Sequence, residues 1–137
     1  MKVALIGASG FVGNAILKEL LQRGQQVTAI VRNPEKIKQE ENLIVVLANV
    51  LNETEVSNAV AGHDAVISAY NAGWANPNLY DEFLKGSKAI QNAVKKSGVM
   101  RLIVVGGAGS LFIGPNQQIV DTEGFPKEWK PGALAAR

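Results

Sequence analysis

The sequence predicts an α/β fold, a parallel sheet of about five strands doubly wound with helices on its two faces. Three observations carry this. Short β-branched runs alternate with longer stretches of helical period. The first run, Val3-Ala4-Leu5-Ile6, is apolar throughout, as a central strand covered on both faces must be. Three glycines, Gly7, Gly10 and Gly13, then stand between that run and the first helical stretch. Right-handed crossovers and this glycine turn favour the strand order 3-2-1-4-5, with ligands at the carboxyl edge.

Each element has its own local reason. Val12, Ala15, Ile16, Glu19 and Leu20 carry the helical period, and Gly24 stands where a left-handed cap ends a helix. Val27 to Val31 is the second strand. Asn33-Pro34 then opens a short helix, asparagine as cap and proline at the first helical position. Leu43 to Leu47 is the third strand. Asn52 caps the next helix, with Glu55 completing a pattern like a capping box. Asp64 to Ala69 is the fourth strand. A loop with Gly73, Trp74 and Pro77 leads to the longest helix, Leu79 to Ser97, ended by Gly98. Arg101 to Val105 is the fifth strand. Residues 106–130 lack periodicity and read as a long loop, and Pro131 to Arg137 as the start of a helix.

Length and composition bound the function. A chain of 137 residues is one domain, residues 1–137, and 47% hydrophobic with 19% charged residues excludes disorder. No apolar run approaches the roughly 20 residues of a membrane helix, and the opening apolar run is too short for a signal peptide. A cytoplasmic protein is expected, with neither membrane nor nucleic acid as partner. The absence of cysteine excludes disulfides, thiolate nucleophiles and cysteine-type zinc sites. His63 is the single histidine, so one chain cannot build a multi-histidine metal centre; it reads as a solvated loop residue. A net charge of +2 is too small to argue for nucleic acid. Six of the cations fall in residues 1–38 against two glutamates, which suits an anionic small ligand there.

The chemistry lies in Gly7-Ala8-Ser9-Gly10-Phe11-Val12-Gly13. Gly7 allows the tight strand-to-helix turn, Gly10 lets a pyrophosphate approach the backbone, and Gly13 lets helix and strand pack closely. N–H groups at the helix start then hold the anion. This context favours a dinucleotide; a tight turn alone and S-adenosylmethionine remain the alternatives. A P-loop is excluded, because no Gly-Lys-Ser/Thr follows. Dehydrogenases that bind the ribose hydroxyls carry Asp or Glu about 20 residues past the glycines. Here Arg32 stands 19 residues after Gly13. A guanidinium pairs with a 2′-phosphate where a carboxylate would repel it, which favours NADP(H) over NAD(H). Lys36 could assist, with a solvent-facing side chain the reading preferred for it, and a plain surface arginine at a strand end remains the alternative for Arg32.

With these residues the segments 31–36, 65–70 and 104–110 complete a resemblance. The chain resembles the atypical short-chain dehydrogenase/reductases, in the NAD(P)H-binding branch that is NADH-flavin-reductase-like and similar to biliverdin reductase B. The resemblance implies a Rossmann-type fold in which Ser9, Gly10, Phe11 and Val12 contact the pyrophosphate and Arg32 meets the adenosine phosphate. It puts Asn49 and Val50 beside the adenine, where such proteins commonly carry Asp-Val or Asp-Leu; asparagine can donate to or accept from that edge. Ser68, Ala69 and Tyr70 would line the cofactor, and Gly106 and Gly107 would pass beneath the nicotinamide.

Two departures qualify the activity. Neither Tyr70 nor Tyr80 has lysine at the fourth place, so the acid pair that protonates an alkoxide is missing. Flavin reduction needs hydride alignment above all, and solvent can supply its proton. Members of the family also run on past this point, adding a further strand. The chain is therefore expected to be truncated at its C-terminus, with strand five an open edge suited to pairing with a second copy. The catalytic residue stays unknown, with Ser110 and Tyr70 the weak candidates. Trp74 and Trp129, with Tyr70 and Phe112, could stack a planar substrate or pin loops to the body. The sequence thus predicts an NADPH-preferring oxidoreductase passing hydride to a flavin, a quinone or a similar planar acceptor. The alternatives are a non-catalytic NADP(H)-binding regulator and an inactive cofactor-binding fragment.

Overall fold

The computed structural model describes residues 1–71, 76–106, 111–125, 127 and 130–135. They fall into two compact units: residues 1–70 with 87–105, and residues 71–86 with 106–137.

The first unit is built on a parallel sheet of β1 (Lys2–Ile6), β2 (Gln26–Val31), β3 (Leu43–Leu47), β4 (Ala65–Ser68) and β5 (Leu102–Val104). Their order is β3-β2-β1-β4-β5, as the crossover rule favours. The registers place Ile6 beside Ile30 and Ser68, Val31 beside Leu47, and Ser68 beside Val104, so all five strands end on one edge. Helices α1 (Phe11–Gln22), α2 (Glu53–Val60) and α3 (Leu79–Ser97) follow β1, β3 and β4. Residues 79–86 of α3 belong to the second unit and its remainder to the first.

Alternation along the strands splits the core in two. Ala4, Ile6, Ile30 and Val66 pack with Val56 and Val60 of α2 and with Ile90 and Val94 of α3. Leu5, Val27, Ala29 and Val31 pack with Leu17 of α1. Near-complete burial of β1 on both faces explains why its sequence is apolar without alternation. Gly24 and Gly98 take the left-handed conformation, at φ +74° and +83°, that ends α1 and α3.

Three local expectations are corrected. Pro34–Lys36 forms only a 3-10 turn, and Asn33 makes no side-chain cap to it. Asn52 does cap α2, its side chain accepting from Glu55 N–H, but the Glu55 carboxylate does not return to Asn52. Asn52 N–H already donates to Asn49 O at 2.9 Å. The carboxylate accepts from Asn49 N–H instead, at 3.0 Å. His63 is half-buried, not a solvated loop residue: Nε2 lies 2.8 Å from Thr28 Oγ1 and Nδ1 2.9 Å from Val60 O.

In the second unit Leu79, Phe83 and Ala135 form a small core. The stretch read as one long loop holds an antiparallel pair, β6 (Phe112–Gly114) with β7 (Gln117–Gln118), then a 3-10 turn at Ile119–Asp121 whose Val120 is fully buried. A short helix α4 (Lys130–Ala135) follows. Among the described residues no helix is long and apolar enough to cross a membrane.

Candidate functional site

The site is built where β1 turns into α1. Gly7 sits at φ +80°, and a Cβ there would stand 2.8 Å from Ala69 O. Its N–H donates to Ile30 O at 3.2 Å, while Ala69 N–H donates to Ile6 O at 2.9 Å. The turn is thereby held between the ends of β2 and β4. A Cβ on Gly13 would lie 1.9 Å from Gly7 O, inside the backbone itself. Both glycines are thus required by the chain's own packing.

Gly10 is different. Its backbone is extended, at φ −76° and ψ 172°, and the nearest atom to a Cβ there is Gly7 O at 3.5 Å, an ordinary contact. Nothing among the described residues excludes a side chain at Gly10. Gly10 caps α1 without a side-chain hydrogen bond, and no acid stands in the first turn. Gly10 N–H turns back to Gly7 O, and Asn14 N–H closes the first intrahelical bond onto Gly10 O. The N–H groups of Phe11, Val12 and Gly13 are left at the open positive end of the helix. Ser9, Gly10, Phe11 and Val12 form an exposed rim over buried Ala8 and Gly13, and Phe11 is 97% exposed. This cradle, bare of side chains at its centre, has the shape and polarity that a pyrophosphate requires.

Arg32 directly follows β2, two residues beyond the carbonyl that receives Gly7 N–H. It is exposed, and among the described residues it makes no ion pair. A groove of about 280 Å³ between α1 and the β2–β3 connection is lined by Ser9, Asn14, Lys18, Lys36, Lys38 and Glu40 among others; Arg32 does not line it. The sequence counts Lys18 and Lys38 among the six cations of residues 1–38 without bringing them to one groove. The available signal was the i,i+4 spacing of Asn14 and Lys18, which puts both on one helix face.

Ala48 N–H donates to Val31 O, setting Asn49 at the same edge as Arg32, one strand further out. Asn49 is exposed, whereas the Val50 side chain is buried in the first core and can offer a ligand only its backbone. At the end of β4, Ser68 is buried and its Oγ lies 3.4 Å from Tyr70 N–H. Tyr70 is half-buried and packs against the first core. Gly106 is exposed, with open space where a Cβ would stand. Gly107, Ser110, Trp74 and Trp129 lie outside the described residues, as does the side chain of Phe112. Among the described residues no cluster of His, Asp and Glu could hold a metal ion.

Residues 7–133 match the family described as NAD(P)H-binding. The Bacillus subtilis protein YwnB is 41% identical over 97% of this chain, which spans 61% of YwnB. A Bacteroides thetaiotaomicron structure provisionally described as an epimerase is 50% identical, with a TM-score of 0.88, over 98% of this chain and 60% of that one. A Streptococcus pneumoniae structure provisionally described as an NADH-flavin reductase is 34% identical, with a TM-score of 0.82, over 99% of this chain and 62% of that one. The chain therefore spans about three fifths of each of these three relatives. With a glycine cradle at the carboxyl edge of a five-stranded parallel sheet, the chain belongs to the NAD(P)H-binding family of atypical short-chain dehydrogenase/reductases.

Proposed function

We propose that this chain is the cofactor-binding part of a cytoplasmic reductase that prefers NADPH to NADH and passes hydride to a flavin, a quinone or a similar planar acceptor. One observation carries the preference. Arg32 stands exposed and, among the described residues, without an ion pair beside the open start of α1, where the ribose phosphate of a dinucleotide on that helix would fall. A guanidinium takes a phosphate in bidentate fashion, and Lys18, Lys36 and Lys38 add positive potential in the groove that Ser9 lines.

The likeness to a protein described as an NADH-flavin reductase supports the choice of acceptor. When bound, the reduced cofactor supplies a hydride. The residues of this chain bind and orient: the rim from Ser9 to Val12 holds the pyrophosphate, Arg32 fixes the adenosine end, and Ser68 to Tyr70 border the turn from the β4 side. A second reading, a binding protein that senses the NADP(H) ratio without turnover, needs only the open start of α1 and exposed Arg32.

Thermal unfolding with NADPH, with NADH and with neither tests the proposal. A ligand at 100 times its dissociation constant stabilises by about 2.7 kcal/mol. A larger shift with NADPH is expected; equal shifts would overturn the preference, and no shift would overturn the cofactor reading. Arg32→Asp should then weaken NADPH binding by about 1–3 kcal/mol and leave NADH little changed. NADPH oxidation with a flavin or quinone present separates reductase from sensor, since the sensor binds tightly and oxidises nothing.

A further inference from the structure

The amino edge of the sheet, opposite the glycine cradle, carries a second polar arrangement. Among the described residues Thr28 and Ser68 are the polar side chains that lie buried. Ser68 ends β4 at the carboxyl edge, whereas Thr28 stands third in β2, between Ala4 and Ile44, on the face it shares with apolar Ala4, Ile30 and Val66. A hydroxyl in such a place needs a partner, and His63 supplies it, with Nε2 2.8 Å from Thr28 Oγ1. The tautomer follows from the other ring nitrogen. Nδ1 faces two carbonyl oxygens, Val60 O at 2.9 Å and Ala61 O at 3.3 Å, and a carbonyl can only accept. In the neutral ring Nδ1 therefore carries the proton and Nε2 presents its lone pair to the Thr28 hydroxyl. Hydroxyl, basic nitrogen and an orienting carbonyl stand in a row.

The row opens into a cleft of about 600 Å³ at the start of β1, β2 and β3, lined by Thr28, His63, Lys2, Gln26, Asn42 and Ile44 among others. Ile44, 64% exposed, gives it an apolar wall, and the side chains of Lys2, Gln26 and Asn42 bring hydrogen-bond donors. We propose that Thr28 and His63 are a nucleophile and its general base for the hydrolysis of small carboxylic esters, oriented by Val60 O. Thr28 Oγ1 bonds to the ester carbonyl carbon as its proton passes to Nε2, and the carbonyl electron pair moves onto oxygen, where the donors of the cleft meet it. That pair returns, the bond to the leaving oxygen breaks, and Nε2 gives its proton to the departing alcohol. Water then attacks the Thr28 ester, passing its proton through Nε2 to Thr28 Oγ1, and the carboxylic acid leaves. The reaction takes no reductant and is independent of the cofactor reading.

The test uses the full chain and two probes. Release of 4-nitrophenolate from 4-nitrophenyl acetate gives the rate. Diisopropyl fluorophosphate loses fluoride to a nucleophilic hydroxyl and leaves a stable phosphoryl ester, which peptide mass spectrometry locates. Thr28→Val keeps the shape without the hydroxyl, Thr28→Ser keeps a hydroxyl, and His63→Gln removes the basic nitrogen; urea unfolding checks each fold. The label is expected on residue 28 in the wild type and in Thr28→Ser. Release of 4-nitrophenolate should fall by about 100-fold or more in Thr28→Val and His63→Gln, the low end of what a positioned base contributes. A wild type left unlabelled at Thr28 would overturn the proposal, as would folded Thr28→Val hydrolysing within about two-fold of the wild type. The contact would then be a clamp that seats the turn between α2 and β4. If Thr28→Val does not fold, the position of the wild-type label decides, since it needs no variant.

Discussion

Helices α1 and α2 both start at the carboxyl edge of the same sheet, and they treat their N-termini in opposite ways. α2 satisfies its own. Asn52 Oδ1 accepts from Glu55 N–H, and Glu53 and Glu55 lay negative charge on the first turn. α1 begins on Gly10 with no side-chain cap and no acid, and its first residue projects a 97% exposed phenylalanine. Capping is worth about 1 kcal/mol and an acid in the first turn a further fraction of that. A helix that forgoes both leaves its positive end for something outside the chain. The contrast extends to single glycines, because Gly7 and Gly13 are explained by packing within the protein and Gly10 is not.

The largest effect is expected where packing alone decides. Gly13→Ala puts a methyl 1.9 Å from the Gly7 carbonyl oxygen, and backbone on both sides must move. The cost should exceed about 3 kcal/mol, at the upper end for overpacking. Urea unfolding without ligand measures it. A loss below about 1 kcal/mol would mean that the turn relaxes freely and that its geometry is not imposed by the close approach.

Gly10→Asp tests the open end directly by making α1 resemble α2. The backbone at Gly10 is already in the extended region that a capping residue adopts, so the free protein should keep its stability or gain a few tenths of a kcal/mol. The new carboxylate lies where the pyrophosphate is proposed to sit, and NADPH binding should weaken by about ten-fold or more. An undiminished thermal shift with NADPH would show that the anion does not use this helix start.

Much of this arrangement could be read from the sequence because its determinants are local. Apolar β1, the left-handed Gly24 and Gly98, and the bounds of α3 each follow from a few adjacent residues, and the strand order from a chirality rule. Features that depend on register or distance were not legible. His63 stands 35 positions from Thr28, and only the seating of α2 over β2 brings its imidazole within 2.8 Å of the Thr28 hydroxyl. Strands β6 and β7, of three and two residues, are too short to show a period. The pattern Asn52 to Glu55 suggests a reciprocal box, yet the carboxylate goes to Asn49 because Asn52 N–H is already engaged.

The smallest effect sharpens the comparison from the other helix. Asn52→Ala strips the cap from α2 and should cost about 1 kcal/mol, a fall in Tm of about 3–5 °C for a domain of this size. Asn52 touches no part of the proposed pyrophosphate cradle, so the shift produced by NADPH should survive nearly whole. A modest weakening, within about three-fold, is expected through Glu55, which loses one anchor while still holding Asn49 N–H. Loss of the NADPH shift as complete as that expected for Gly10→Asp would mean that the two helix starts act as one site, and the division of labour between them would fail.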